Sequence, residues 1–98
     1  MGRYRPVIPP DVATVVRRLH PDLKQSVKSA LRTLCDDPSA GEPLRRELEG
    51  LWKYRVRRFR IVYSVDRARH LLHVVAVGHR RTVYEALSET RRGRPPFG

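Results

Sequence analysis

Cysteine is almost absent from this 98-residue chain. Cys35 stands alone, which excludes an intrachain disulfide and any multi-cysteine metal site. A single thiol suits a reducing cytoplasm. No stretch stays apolar long enough to span a bilayer, and Met1-Gly2-Arg3-Tyr4-Arg5-Pro6 lacks the apolar run of a signal peptide. The expectation is therefore a cytoplasmic protein with no membrane partner. Apolar residues make up only 40% of the sequence, too few to suggest a large cavity or a buried cofactor. Catalytic signatures are missing as well. There is no glycine-rich phosphate loop, no Ser/His/Asp order that stands out, and no His/Cys/Asp spacing suited to zinc. Carboxylates are missing where the cations are densest: none lies between Glu49 and Asp66, and none between Asp66 and Glu85. That argues against paired-carboxylate acid/base chemistry in this half of the chain.

What is present in excess is positive charge. Lysine and arginine number 21 against 10 carboxylates, a formal net charge of +11. Self-repulsion on that scale opposes folding and usually persists because a polyanion offsets it. Nucleic acid is the first candidate, since each phosphate contact releases condensed counterions. An anionic membrane surface and an acidic protein are the alternatives. Arginine far outnumbers lysine, so part of the excess also fits the composition of a GC-rich genome.

Along the chain, residues 3 to 8 read as a short first strand, with Pro6 marking an edge or a bend. Val12, Val15, Val16 and Leu19 then fall on one helical face, and His20-Pro21-Asp22 breaks the pattern and opens a second helix. Its stripe is Leu23, Val27, Ala30, Leu31 and Leu34, with Lys24, Lys28 and Arg32 outside. Residues 38 to 50 read as a loop in which Leu44 and Leu48 anchor to the core. The period then changes to two. Trp52, Tyr54 and Val56 alternate with Lys53, Arg55 and Arg57, and Phe59, Ile61, Tyr63 and Val65 alternate with Arg60, Val62 and Ser64. Leu71 to Val77 is nearly continuous apolar sequence, as for a central strand, and Gly78 ends it. This order predicts one α+β domain over residues 1–90, a helical hairpin laid on an antiparallel sheet. Residues 91–98 read as a basic, disordered tail.

Strand geometry turns the charge into a constellation. Lys53 and Arg55, two apart, leave one face of a strand; Arg60 opens the neighbouring strand, and Arg80 follows the Gly78 break. Each cation alone reads as a solvated position. Together they would repel one another without an anion between them. The aromatics that alternate with them read as core. Tyr84 reads either as an edge packing residue or as a stacking platform near the cations. His79 is a candidate acid/base beside Arg80, though a solvent-facing turn histidine is the simpler reading. His20, His70 and His73 look structural, and Cys35 looks like a small core residue.

The run Pro43-Leu44-Arg45-Arg46-Glu47-Leu48-Glu49-Gly50-Leu51-Trp52-Lys53-Tyr54-Arg55-Val56 leads into Phe59-Arg60-Ile61-Val62-Tyr63, and Val77-Gly78-His79-Arg80-Arg81-Thr82-Val83-Tyr84 closes the pattern. It resembles the RelE/ParE superfamily of toxins from type II toxin–antitoxin modules, over residues 3 to 86. The RelE branch consists of ribosome-dependent endoribonucleases (mRNA interferases) that inhibit translation. The resemblance implies a catalytic set of Lys53, Arg55, Arg60, Arg80 and Tyr84, with Arg57, Arg58, Arg81 and His79 as further RNA contacts. It implies metal-free attack of a ribose 2′-OH on the adjacent phosphodiester, with no cofactor. Arg55 stands where the founding toxin has lysine, so this position cannot accept a proton. The partners implied are mRNA, the ribosome and an acidic, adjacently encoded antitoxin, the toxin–antitoxin complex binding operator DNA. A ParE-like inhibitor of DNA gyrase and a non-catalytic RNA- or antitoxin-binding module are the competing readings.

Overall fold

Two prolines set where the helices begin. In the computed structural model, which describes residues 3–79 and Val83, helices α1 (Pro10–Arg17) and α2 (Pro21–Asp36) each open on proline. At that position the missing N–H removes no helical hydrogen bond. His20 caps α2, its Nδ1 accepting from the Asp22 N–H at 3.4 Å. Val27, Ala30, Leu31, Leu34 and Cys35 form the buried stripe of α2. On α1 only Val12 is fully buried; Val16, and Leu19 just past the helix end, pack partly against the same core. Val15, expected on that face, is 40% exposed, because so short a helix covers a narrower strip of sheet.

Five strands complete the fold: β1 (Arg5–Val7), β2 (Glu42–Pro43), β3 (Trp52–Val56), β4 (Phe59–Asp66) and β5 (Leu71–His79). Their order across the sheet is β1-β5-β4-β3-β2. The β3–β4–β5 meander is antiparallel, as alternation and short connections predict. However, β1 runs parallel to β5, so the sheet is mixed rather than wholly antiparallel. The chain leaves β1 through both helices and re-enters the sheet at its opposite side, and strand alternation carries no information about direction. Pro6 is tolerated because β1 is an edge, with a neighbour on one side only. A second difference is β2, which pairs with β3 inside the segment expected to be a loop. Two residues, one of them Pro43, are too few to alternate.

The helices cover one face of the sheet. Their stripes meet Val56, Ile61, Tyr63, Leu72, Val74 and Val77, with Trp52, Tyr54 and Phe59 partly buried at the margin. The Tyr63 hydroxyl donates to the Pro38 carbonyl at 2.6 Å and accepts from the Gly41 N–H, tying the turn after α2 to the middle of the sheet. Gly41 has to be glycine, since a Cβ there would run into both the Tyr63 hydroxyl and the Lys53 carbonyl. The opposite face, away from α1 and α2, carries a smaller cluster of Leu51, Val62 and Val83, against which Leu44, Leu48, Val75 and Ala76 pack. A register shift beside Val62/Tyr63 matches Val62 with Ala76 and Tyr63 with Val74, leaving Val75 extra. This bulge turns both Val75 and Ala76 toward the second cluster.

Candidate functional site

Alternation decides where the cations go. Since Trp52, Tyr54 and Val56 pack toward α1 and α2, Lys53 and Arg55 leave β3 on the opposite face. On β4, Ile61 and Tyr63 point inward, which sends Arg60 and Val62 outward. The register then places Arg55 directly across from Arg60, and Lys53 across from Val62. Side chains so paired start about 5 Å apart, and like charges at that distance disfavour the sheet. Arg55 is exposed and Lys53 half-buried. Arg60 is only 8% exposed and makes polar or charge interactions of its own, so it is held rather than freely mobile. On its other side Arg60 faces Gly78. A Cβ there would come within 3.1 Å of Val83 Cγ2, so glycine lets Val83 close down over this part of the face.

Not every predicted residue joins this set. Arg57 and Arg58 form the exposed two-residue loop between β3 and β4, at the end of the cationic row. His79 pairs with Phe59, its ring 4.5 Å away, and Phe59 belongs to the helix side. The structure thus puts His79 across the sheet from Lys53, Arg55 and Arg60 rather than among them. Arg80, Arg81 and Tyr84, like the tail over residues 91–98, lie outside the described residues. His20 is a helix cap, and His70 stacks on Tyr4 with ring centroids 4.9 Å apart. Burial pushes the Cys35 thiol up, with the charge of Arg3 only partly opposing, so it is a poor nucleophile.

One neighbour escaped the sequence reading. Glu42 pairs with Lys53 across β2 and β3 and therefore shares its face. The stretch from Glu49 to Asp66 has no carboxylate, but the fold brings one in from upstream. Among the described residues, Glu42 is the one carboxylate that strand pairing sets against Lys53, and one carboxylate provides no acid/base pair. Among the described residues, no cluster of three His, Cys, Asp or Glu could hold a metal ion, and no helix is long and apolar enough to cross a membrane.

A family model described as the ParE toxin of type II toxin–antitoxin systems, parDE, matches residues 11–84. The chain belongs to this toxin family. It is the toxin of a type II module, in the superfamily that includes RelE. The toxin–antitoxin complex RelBE2 from Mycobacterium tuberculosis contains a chain 28% identical to it, with a TM-score of 0.73, over 82% of this chain and 94% of that one. The isolated RelE toxin of E. coli is 22% identical, with a TM-score of 0.68 over 88% of this chain and 97% of that one. The YoeB/ParE toxin from Agrobacterium tumefaciens is 23% identical, with a TM-score of 0.67 over 76% and 96%. The last two similarities establish the shared α+β fold. No curated protein matches the sequence significantly.

Proposed function

We propose that this toxin is an endoribonuclease that cuts mRNA on the ribosome and so blocks translation. The observation that carries the reading is the pairing of Arg55 with Arg60 on the face away from α1 and α2, with Lys53 one step along the same strand. Such a face binds a phosphodiester and stabilises the charge that builds on its non-bridging oxygens in the transition state. The ribose 2′-oxygen attacks the adjacent phosphorus as its proton passes to the Lys53 amine, and the 5′-oxygen departs and takes a proton from solvent, leaving a 2′,3′-cyclic phosphate and a 5′-OH. Lys53 activates the 2′-OH. Arg55 and Arg60 hold the phosphorane oxygens; as permanent cations they transfer no proton. Arg80 assists the leaving 5′-oxygen, and Tyr84 orients or stacks a base. Arg57, Arg58 and Arg81 contact flanking phosphates. The reaction needs no metal and no cofactor.

A second reading, a gyrase inhibitor of the ParE type, is favoured by the description of the matching family. One experiment separates them. After induction, primer extension on a translated mRNA should give cuts at codon positions, while DNA supercoiling by gyrase stays normal. Lys53→Ala should abolish both the cuts and the growth arrest. Blocked supercoiling with intact mRNA would establish the gyrase reading instead.

The partners follow from the charge and the family. An acidic antitoxin encoded beside the toxin gene neutralises it in the cytoplasm, its anionic character matching the +11 surface and speeding association. The pair then binds operator DNA. The working domain spans residues 1–90, and the basic tail over residues 91–98 adds non-specific phosphate affinity.

A further inference from the structure

Past Lys53 the outer edge of β3 has no strand beside it among the described residues, because β2 pairs only with Trp52 and Lys53. A groove of about 400 Å³ opens there between β3 and α2. Buried Ala30 and Val56 lie at its base, and Ala30 contributes only a methyl group, which gives the groove its depth. Gln25, Ser29 and Thr33 line the helix side, and Tyr54, Arg55 and Arg57 the strand side. We propose that this groove is a nucleoside subsite: it takes the base and sugar of an RNA residue flanking the phosphates held on the cationic face. This inference rests on the RNA reading above.

Four observations favour that occupant. The volume lies in the range of small-molecule sites and suits one nucleoside. The lining contains no carboxylate, and its amide and hydroxyl groups both donate and accept, as a base edge requires. Arg55 belongs to both surfaces: it stands opposite Arg60 on the cationic face and also lines the groove. A strand lying across Lys53 and Arg55 therefore needs only to turn over the β3 edge, past Arg57, to reach it. Finally, the backbone itself contributes. The Leu44 N–H bonds the Leu51 carbonyl at 2.8 Å, which fixes the ladder phase. Leu51, Lys53 and Arg55 thus turn their main-chain groups outward, and those of Arg55 fall beyond the end of β2. One outward N–H and C=O can bind a base or a ribose hydroxyl. They are too few to zip up a partner strand, because Arg57, at φ 56°, ends the extended segment two residues later.

The test uses 2′-O-methyl pentanucleotides, which cannot be cut, each abasic at one position, with affinities read by fluorescence anisotropy. For the wild-type protein, one flanking abasic position should weaken binding about tenfold, the scale of one lost stacked base, separately from any loss at the base that Tyr84 stacks, and the remaining positions less than twofold. Ser29 and Thr33 are exposed, so Ser29→Leu/Thr33→Leu should fold normally, verified by its melting curve, and fill the groove. The variant should bind the intact oligonucleotide about as weakly as the one abasic at that flanking position and lose the dependence there. Unchanged positional dependence in the variant, or none in the wild type, overturns the subsite while leaving phosphate binding intact. A variant that keeps the dependence but loses antitoxin affinity assigns the groove to a peptide and also overturns it. Failure of the wild-type protein to bind any oligonucleotide at low salt removes the RNA reading, and this proposal with it.

Discussion

Tyr63 is buried completely, and its hydroxyl serves two backbone groups at once, donating to Pro38 and accepting from Gly41. Burial pushes the phenol up to about 12, the Gly41 N–H pulling the other way and the nearby Asp37 and Tyr54 adding to the rise. An unfolded tyrosine titrates near ~10. The folded state therefore holds this proton more tightly than the unfolded chain. Its contribution to stability is complete below about pH 10 and is lost as pH climbs from there through about 12. Tyr63→Phe leaves the Gly41 N–H and Pro38 carbonyl without their shared partner and should cost about 1–3 kcal/mol at neutral pH. It should also flatten the alkaline loss; urea denaturation of both proteins at about pH 9 and about pH 12 measures the two effects together. That Tyr63 is core was legible from its alternation with Val62 and Ser64. Its partners were not, because the bond to Pro38 spans 25 residues of sequence.

At the scale of elements, the β3–β4 hairpin carries a conflict between folding and charge. Its two-residue loop needs a left-handed backbone at Arg57, φ 56°, where hairpins favour glycine or asparagine. Arg57→Gly should raise stability by about 1 kcal/mol, read as a higher melting temperature, while weakening RNA binding severalfold. An increase in both would show that Arg57 has no part in binding. In the neighbouring pair, Glu42 opposes Lys53 and competes with any phosphate for it. Glu42→Gln should tighten oligonucleotide binding about two- to fivefold, measured by anisotropy, with little change in melting temperature. The meander was readable from period-two alternation in β3 and β4 and from the nearly continuous apolar run of β5. By contrast β2 was invisible, and with it Glu42, because two residues set no period. The direction of β1 was hidden too, since a strand alternates identically whichever way it runs.

The whole molecule is governed by its charge. With a net +11, phosphate binding should weaken steeply with salt, and the slope of log affinity against log salt counts the phosphates engaged. Lys53→Ala should lower that slope by about 0.7, the value of one phosphate contact on a single strand, over about 50 to 200 mM salt. An unchanged slope would mean that Lys53 meets no phosphate in the bound state. Composition and periodicities that span a few residues account for the cations, the lack of carboxylates beside them, the helical hairpin, the meander and the face on which Lys53, Arg55 and Arg60 stand. Which cations meet is settled only when the strands pair. The tertiary structure set Arg55 opposite Arg60, moved His79 across the sheet beside Phe59, brought Glu42 to Lys53, and left the edge of β3 open against α2. The physical reason is register: hydrogen bonding between strands joins residues far apart in the chain, and a slip of one position would exchange the two faces.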